Sequence, residues 1–193
     1  MRATEETEDR LLIERAKMGD GTAYESLVRR YQHGIYRLCL GMTGTHPAAD
    51  DLTQETFIKA YYALSRFKEG TNFRAWIHRI AVNSSLNYIK VRKREEPLGN
   101  RSGDNPGVVF SSRGESPHEQ LLRNDAGRAV DKVLQALPPK LRAVFVLHAL
   151  EGLKYAEIAR AVGVPVGTVM SRLSRARLRL RRSLAGLQAR RPE

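Results

Sequence analysis

Residues 155–182 read YAEIARAVGVPVGTVMSRLSRARLRLRR, and this stretch decides the fold. A short helical pattern meets a tight break at Gly163-Val164-Pro165, after which a long arginine-rich helix begins. Ala159, Gly163 and Val169 stand four and six residues apart. A helix-turn-helix needs a small residue where its helices cross, a residue tolerant of unusual φ in the turn, and an apolar anchor on the second helix. At about 100° per residue, Val166, Val169, Leu173, Ala176, Leu180 and Leu184 fall on one apolar stripe roughly 80° wide. Thr168, Ser171, Arg172, Arg175, Arg179 and Arg182 lie away from it, on a polar and almost purely cationic face. Pro165 suits the first helical position, where its missing N–H costs nothing. A helix anchored on one side and offering arginine and hydroxyl groups on the other can enter a DNA major groove. The plainer alternative is a solvated basic face on a terminal helix.

The 193 residues suit one large domain or two small ones. An apolar fraction of 41% supports true cores and excludes a disordered chain. A formal charge of +12 and a pI near 10.3 favour a polyanionic partner, most simply nucleic acid. Cys39 is the single cysteine, which excludes an internal disulfide, and in the apolar run 35–40 it reads as a buried small hydrophobe rather than a nucleophile. Histidines 33, 46, 78, 118 and 148 show no metal-ligand spacing. No apolar run approaches the roughly 20 residues of a membrane span, and the acidic N-terminus does not read as a signal peptide. A soluble, cytoplasmic protein is expected, with no long further domain beyond Arg182.

Residues 1–26 carry seven acids against four bases, so the positive charge lies elsewhere. Leu11, Leu12, Ile13 and Ala16 suggest a first short helix closed by Gly19-Asp20-Gly21. From Ala23 to Met42, the residues Leu27, Tyr31, Ile35, Leu38 and Met42 step by four, four, three and four, a core stripe that Gly44 to Pro47 ends. A helix is expected over Asp50 to Phe67, with Phe57, Ala60, Tyr61 and Leu64 inward. Asp51, Gln54, Glu55, Ile58 and Tyr62 share a largely different face, mixed acidic and apolar. First-turn acids favour the helix dipole; acids beside exposed apolar groups also make a protein–protein patch.

Phe73 to Arg94 forms the next helix after a loop holding Gly70, with Trp76, Ile77, Ile80, Ala81, Ser84 and Tyr88 as its packing face. The span 66–94 holds eight bases and one acid, with Phe67, Phe73 and Trp76 among them and Asn83 and Asn87 one turn apart. Single-stranded bases require π-faces to stack on, charge for phosphate and amides for base edges. Trp76 reads as core, whereas the loop from Phe67 to Phe73 reads as functional. Residues 95–117 are rich in Gly, Ser, Asn and Pro without helical period, a flexible linker and a domain boundary. Helices are expected to resume near His118. Ala129, Val130, Val133, Leu134 and Leu137 make an apolar face that Pro138-Pro139 ends, and Leu141 to Leu150 is a further helix before Gly152. No strand pattern is evident. The fold class is all-α, two small helical bundles joined by a flexible linker, the C-terminal one carrying the helix-turn-helix.

With these pieces assembled, the chain resembles a bacterial RNA polymerase sigma factor of the extracytoplasmic-function (ECF) class. DLTQETFIKAY (51–61) is similar to the segment that grips the clamp helices of the polymerase β′ subunit. FKEGTNFRAWIHRIAVNSSLNYI (67–89) is similar to the segment that melts and reads the −10 promoter element. LPPKLRAVFVLHALEGLKYAEIARAVGVPVGTVMSRLSRAR (137–177) is similar to the domain that binds the −35 element. The resemblance implies residues 1–94 as sigma domain two, 95–120 as a linker threading the polymerase toward its RNA path, and 121–193 as sigma domain four.

It also implies roles for individual residues. Asp51, Gln54, Glu55, Ile58 and Tyr62 would bind polymerase. Phe67, Lys68, Thr71, Asn72, Phe73, Arg74, Arg79, Asn83 and Asn87 would meet −10 DNA, the loop from Phe67 to Phe73 capturing a flipped base. Thr168, Met170, Ser171, Arg172, Ser174, Arg175, Arg177 and Arg179 would meet −35 DNA. Of these, Met170, Ser171, Ser174 and Arg175 would face bases, while Arg172, Arg177 and Arg179 would hold phosphates or pair within the chain. Met170 and Ser174 stand where relatives can carry arginine and an aromatic. The implied partners are core RNA polymerase (β′ clamp helices and β subunit), promoter DNA and an anti-sigma factor, which could hold the protein at the inner membrane face. No small-molecule substrate, cofactor, metal or catalytic residue is implied. Two rival readings are a ligand-responsive helix-turn-helix regulator and an enzyme acting on nucleic acid. For the second, no metal cluster, phosphate-cradling glycine loop or nucleophile–base pair is found.

Overall fold

The computed structural model describes residues 2–68, 70, 72–95, 127 and 130–188, with side chains from residue 7 to residue 185. The expected linker over 95–120 therefore lies outside the described residues beyond Glu95. The helix expected near His118, Ala129 and the candidate Thr71 lie outside them as well. All regular structure among the described residues is helical. The elements are α1 (Arg2–Lys17), α2 (Gly21–Thr43), α3 (His46–Ala63), a 3₁₀ turn (Leu64–Arg66), α4 (Phe73–Glu95), α5 (residues 130–135), α6 (Pro139–Ala149), α7 (Tyr155–Val162) and α8 (Val166–Gln188).

Helix boundaries follow local chemistry. Asp20 caps α2, its carboxylate accepting from the backbone N–H groups of Thr22 and Ala23. The Thr22 hydroxyl, Arg15 and the Ala23 N–H hold that carboxyl well below its usual range. Gly44 ends α2 in the left-handed region at φ 75°, donating back to the Leu40 carbonyl. The α3 helix starts at His46 rather than Asp50, because Pro47 fits the first turn, where its absent N–H is not missed. It stops at Ala63, the last turn tightening into the 3₁₀ segment. Pro165 stands one residue before α8, its carbonyl accepting from Thr168 and Val169.

The stripe on α2 is the centre of the N-terminal half: Leu27, Ile35, Leu38 and Met42 are fully buried, and Tyr31 is half-buried against them. On α1, Ile13 and Ala16 are buried, but Leu11 faces solvent. Asp9 fixes α1 to α2 by accepting from Arg30 at 2.7 Å and from the Tyr31 hydroxyl. Cys39 is buried, and burial pushes its thiol up to about 11. On α3, Phe57, Ala60 and Leu64 face inward as expected, whereas Tyr61 is 52% exposed. Tyr61 lies edge-on to Tyr24 at the rim of the bundle, so the inward set is one residue smaller than its spacing implies.

In the C-terminal half, Val133, Leu134, Leu137, Val144, Val146, Leu147, Ile158, Val169 and Leu173 form the core, while Val130 is exposed. The two halves share one continuous apolar cluster, with α6 against α2 and α7 against α4. Gly41 permits that approach: a Cβ there would stand 3.0 Å from Val146 Cγ2. Arg142, 6% exposed, ties the same seam together. Its guanidinium donates to the Met42 carbonyl at the end of α2, and to the Gln135 and Leu137 carbonyls at the end of α5. Those carbonyls are the electronegative ends of helices, so they stand in for the carboxylate that a buried arginine usually meets.

Candidate protein and nucleic-acid interfaces

The acidic-apolar face of α3 survives folding. Asp51 and Gln54 are exposed, Ile58 is 50% exposed and Tyr62 is 78% exposed. Glu55 is half-exposed and paired with Lys59 one turn on, an i,i+4 contact that contributes little by itself. Beside them a groove of about 470 Å³ is lined by Tyr24, Val28, Gln32, Asp50, Thr53, Phe57 and Tyr61 as well as Gln54, Ile58 and Tyr62. Sequence spacing missed Tyr24, Val28 and Tyr61. The adjacent pair Tyr61-Tyr62 was the available signal, because neighbours about 100° apart on a helix cannot both sit in a narrow buried stripe. Such a groove, apolar at its floor and carboxamide- and acid-rimmed, suits a partner helix with apolar and basic side chains.

The loop before α4 departs from its expected form. Phe67 is 7% exposed and Phe73 4% exposed, so neither offers a free ring to a base. Their rings lie 5.6 Å apart edge to face, Phe67 packs 5.0 Å from Trp76, and Phe73 lies 5.3 Å from Tyr31. Burying two phenyl rings gains more than exposing them, and no spacing rule shows that both loop ends plug one core. Phe67 and Phe73 therefore clamp the loop ends, while half-buried Trp76 is the more accessible ring. Between the clamps Lys68 is exposed and Gly70 takes φ 74°. Asn72 accepts from the Ala75 N–H at 2.9 Å, capping α4, so its side-chain oxygen serves the helix.

Farther along α4, Arg79, Asn83 and Asn87 recur every four residues on one exposed face. Arg74 is turned differently: it donates to the Glu151 carbonyl of the C-terminal half. Arg79 and Trp76 line a crevice of about 610 Å³ against Ala156, Ala159, Arg160 and residues 163–166. The −10 candidates are thus split between an open amide face and a strip next to the helix-turn-helix.

The helix-turn-helix forms as its residues require. Gly163 closes α7 at φ 66°, and Val169, Leu173, Ala176 and Leu180 are buried behind α8 with Leu184 half-buried. Val166, placed on that stripe by periodicity, is instead 42% exposed at the crevice mouth, since the stripe begins only where α8 crosses α7. Met170 is 53% exposed, and Ser174, Arg175, Arg177 and Arg179 are exposed. Thr168, Ser171 and Arg172 are half-buried. The Ser171 hydroxyl donates to the Thr168 carbonyl at 3.0 Å, which leaves its lone pairs free to accept from a base but commits its one proton. No carboxylate among the described residues pairs with Arg172, Arg175, Arg177 or Arg179, which leaves the cationic face open to phosphate. Among the described residues no group of three or more acids, histidines or cysteines is placed to hold a metal, and no helix is long and apolar enough to cross a membrane.

Comparison with known proteins agrees with this layout. The chain matches the family Sigma-70 region 2 over residues 27–95 and Sigma-70, region 4 over residues 127–180. The RNA polymerase sigma-H factor of Pseudomonas aeruginosa is 36% identical over 184 residues, spanning 93% of this chain and 95% of that protein. The ECF RNA polymerase sigma-E factor of Escherichia coli K12 is 38% identical over 184 residues, spanning 90% of this chain and 93% of that protein. Among solved structures, CnrH in complex with the cytosolic domain of CnrY aligns with a TM-score of 0.68 at 26% identity, covering 95% of this chain and 99% of that one. The sigma factor RpoE of Bartonella quintana, in complex with the anti-sigma factor NepR, aligns with a TM-score of 0.65 at 25% identity, covering 84% and 96%. The chain belongs to the extracytoplasmic-function sigma factors of bacterial RNA polymerase.

Proposed function

We propose that three surfaces of this chain act together as the promoter-specificity subunit of RNA polymerase. As an alternative sigma factor the chain binds core polymerase, recognises −35 duplex and opens the −10 element, and it takes part in no chemical step. The observation that carries this reading is the order and extent of the two sigma matches, region 2 at 27–95 and region 4 at 127–180. They support residues 1–94 as sigma domain two and 121–193 as sigma domain four, with 95–120 running between them through the polymerase.

Asp51, Gln54, Glu55, Ile58 and Tyr62 hold the β′ clamp helices, the groove beside them supplying the apolar contact. Lys68, Arg79, Asn83 and Asn87 face −10 DNA, with Arg74 joining them once released from Glu151. Phe67, Asn72 and Phe73 set the loop that takes the flipped base, and Thr71 lies within it. Extruding a base costs a few kcal/mol, which phosphate contacts and amide bonds to the base edge offset. Met170, Ser171, Ser174 and Arg175 read −35 bases, where a bidentate arginine–guanine contact discriminates by about 1–3 kcal/mol. Thr168, Arg172, Arg177 and Arg179 hold the backbone. An anti-sigma factor is the regulatory partner, and the site of action is the cytoplasm or its membrane face.

Run-off transcription with purified core polymerase, on a template carrying the region upstream of this chain's own gene, tests the reading. A discrete transcript only when the chain is added supports it. Stable operator binding by the chain alone, with no effect on core polymerase, would favour a ligand-responsive regulator instead.

A further inference from the structure

The seam between the halves holds one acidic residue with an unusual set of partners. Glu151 lies in the turn after α6, its side chain 2% exposed. Its carboxylate accepts from Arg37 of α2, at 3.0 Å from Nε and 3.4 Å from Nη2. His78 of α4, itself 1% exposed, places Nε2 3.6 Å from the same carboxylate. The other ring nitrogen, Nδ1, is 2.7 Å from the Arg74 carbonyl; an oxygen that only accepts requires the proton to be there. The Glu151 backbone carbonyl in turn accepts from Arg74. One residue of the C-terminal half thus accepts from two arginines on two helices of the N-terminal half, with His78 beside its carboxylate and Nε2 without a hydrogen-bond partner.

The α2 sequence makes room for this contact. A Cβ on Gly34 would stand 2.5 Å from Glu151 Oε2, and Gly41, on the same face, lets Val146 approach. Glycine inside a helix is less favourable than alanine, so α2 gives up intrinsic helicity where the other half docks. The pair is also asymmetric: Arg37 keeps 47% of its side chain in solvent while Glu151 keeps 2%. Separating the halves returns Glu151 to water, so the gain from pairing is largely matched by the desolvation it reverses. A contact of that kind fixes one geometry without making it hard to leave.

We infer that Glu151 is an interdomain latch that holds the free chain closed, with Arg74 tied to the C-terminal half, until another partner separates the two halves. The consequence for Arg74 rests on its proposed role at −10 DNA; the latch itself does not. In the closed form Arg74 cannot serve a single strand, and Arg79 and Trp76 face the helix-turn-helix across the crevice. Loss of the latch frees Arg74 and opens the crevice beside Trp76; Arg79 is exposed already.

The test is the distance between labels at Ser65→Cys and Ser183→Cys in the full chain, read by single-molecule energy transfer. Both positions are exposed, and buried Cys39, its thiol raised to about 11, stays unlabelled. Three changes disturb the latch in different ways: Arg37→Ala removes the partner at the surface, Glu151→Gln removes the charge, and Gly34→Ala forces Oε2 to shift from its place beside Arg37 Nη2 and His78 while improving α2 as a helix. Arg37→Ala, which leaves a buried carboxylate unpaired, and Gly34→Ala should raise the open fraction roughly five- to thirtyfold, and Glu151→Gln, which removes the desolvation cost together with the pairing, should raise it less. Gly34→Ala should do so with helical content and melting of the N-terminal half preserved, which separates opening from unfolding. Binding of an AT-rich single-stranded oligonucleotide should tighten in parallel. An unchanged label distance in Gly34→Ala and Arg37→Ala chains overturns the latch. A shifted distance with no oligonucleotide binding in any chain keeps the latch and removes the −10 assignment.

Discussion

Single residues at the seam between the halves carry an unequal share of the energetics. Arg142 is charged and buried, its side chain pushed down to about 10 by desolvation, yet it meets carbonyls alone. Asp131 of α5 is the opposite case, 6% exposed with Oδ2 unpartnered, and burial raises its carboxyl to about 6. A carboxyl raised in the folded state favours folding most below its unfolded value near 3.8, and that contribution is lost as pH rises through about 6. At neutral pH Asp131 is therefore a liability. Asp131→Asn should stabilise the fold at pH 7.5 by on the order of 1 kcal/mol, raising the melting temperature by roughly 2–4 °C, and by clearly less at pH 5. Equal gains at both pH values would show that the buried charge is not the cause. Phe67 and Phe73 teach a related point: the residue types suited base stacking, but two rings meeting in one core outweighed it.

At the scale of elements, α8 and α3 each present a buried face and an exposed one, with half-buried residues such as Arg172 and Glu55 between them. On α8 Arg175, Arg177 and Arg179 are exposed while Val169, Leu173 and Ala176 are buried, so the exposed side chains can be exchanged without disturbing the core. Arg175→Ala should weaken holoenzyme binding to −35 duplex about ten- to a hundredfold, by loss of about 1–3 kcal/mol, while core polymerase affinity measured by anisotropy stays the same. Parallel loss of both affinities would remove Arg175 from the base-reading set. On α3, Gln54→Ala with Glu55→Ala should lower core affinity about tenfold and leave the melting temperature unchanged, since neither side chain is buried. Undiminished core binding would place the polymerase contact elsewhere. The α4 helix is less simple, its amide face open and its first turns enclosed by α7.

At the scale of the whole molecule, the two halves pack into one apolar cluster although their sequences carry separate sigma regions. The closed arrangement suits a resting form, whereas promoter binding needs the two readers at −10 and −35 spacing. Gly34→Ala should accordingly retain run-off activity with core polymerase, because a latch already open in the holoenzyme contributes nothing there. A transcript reduced in proportion to the open fraction would instead mean that Gly34 serves the active complex.

The sequence by itself determined the helix-turn-helix, the stripe on α2, the α3 patch and the family, because helical period, glycine turns and motif order are local properties of a chain. Helix ends were legible to within a few residues, Pro47 being read as a break when it opens a helix. Only the tertiary structure decided that Phe67 and Phe73 are buried, that Asn72 is a cap, and that Arg74 is tied to Glu151. It also supplied the reason for Gly34, whose missing side chain is explained by a carboxylate more than a hundred positions away. Contacts between segments so far apart depend on how whole faces meet in space, and no spacing along the chain encodes that meeting.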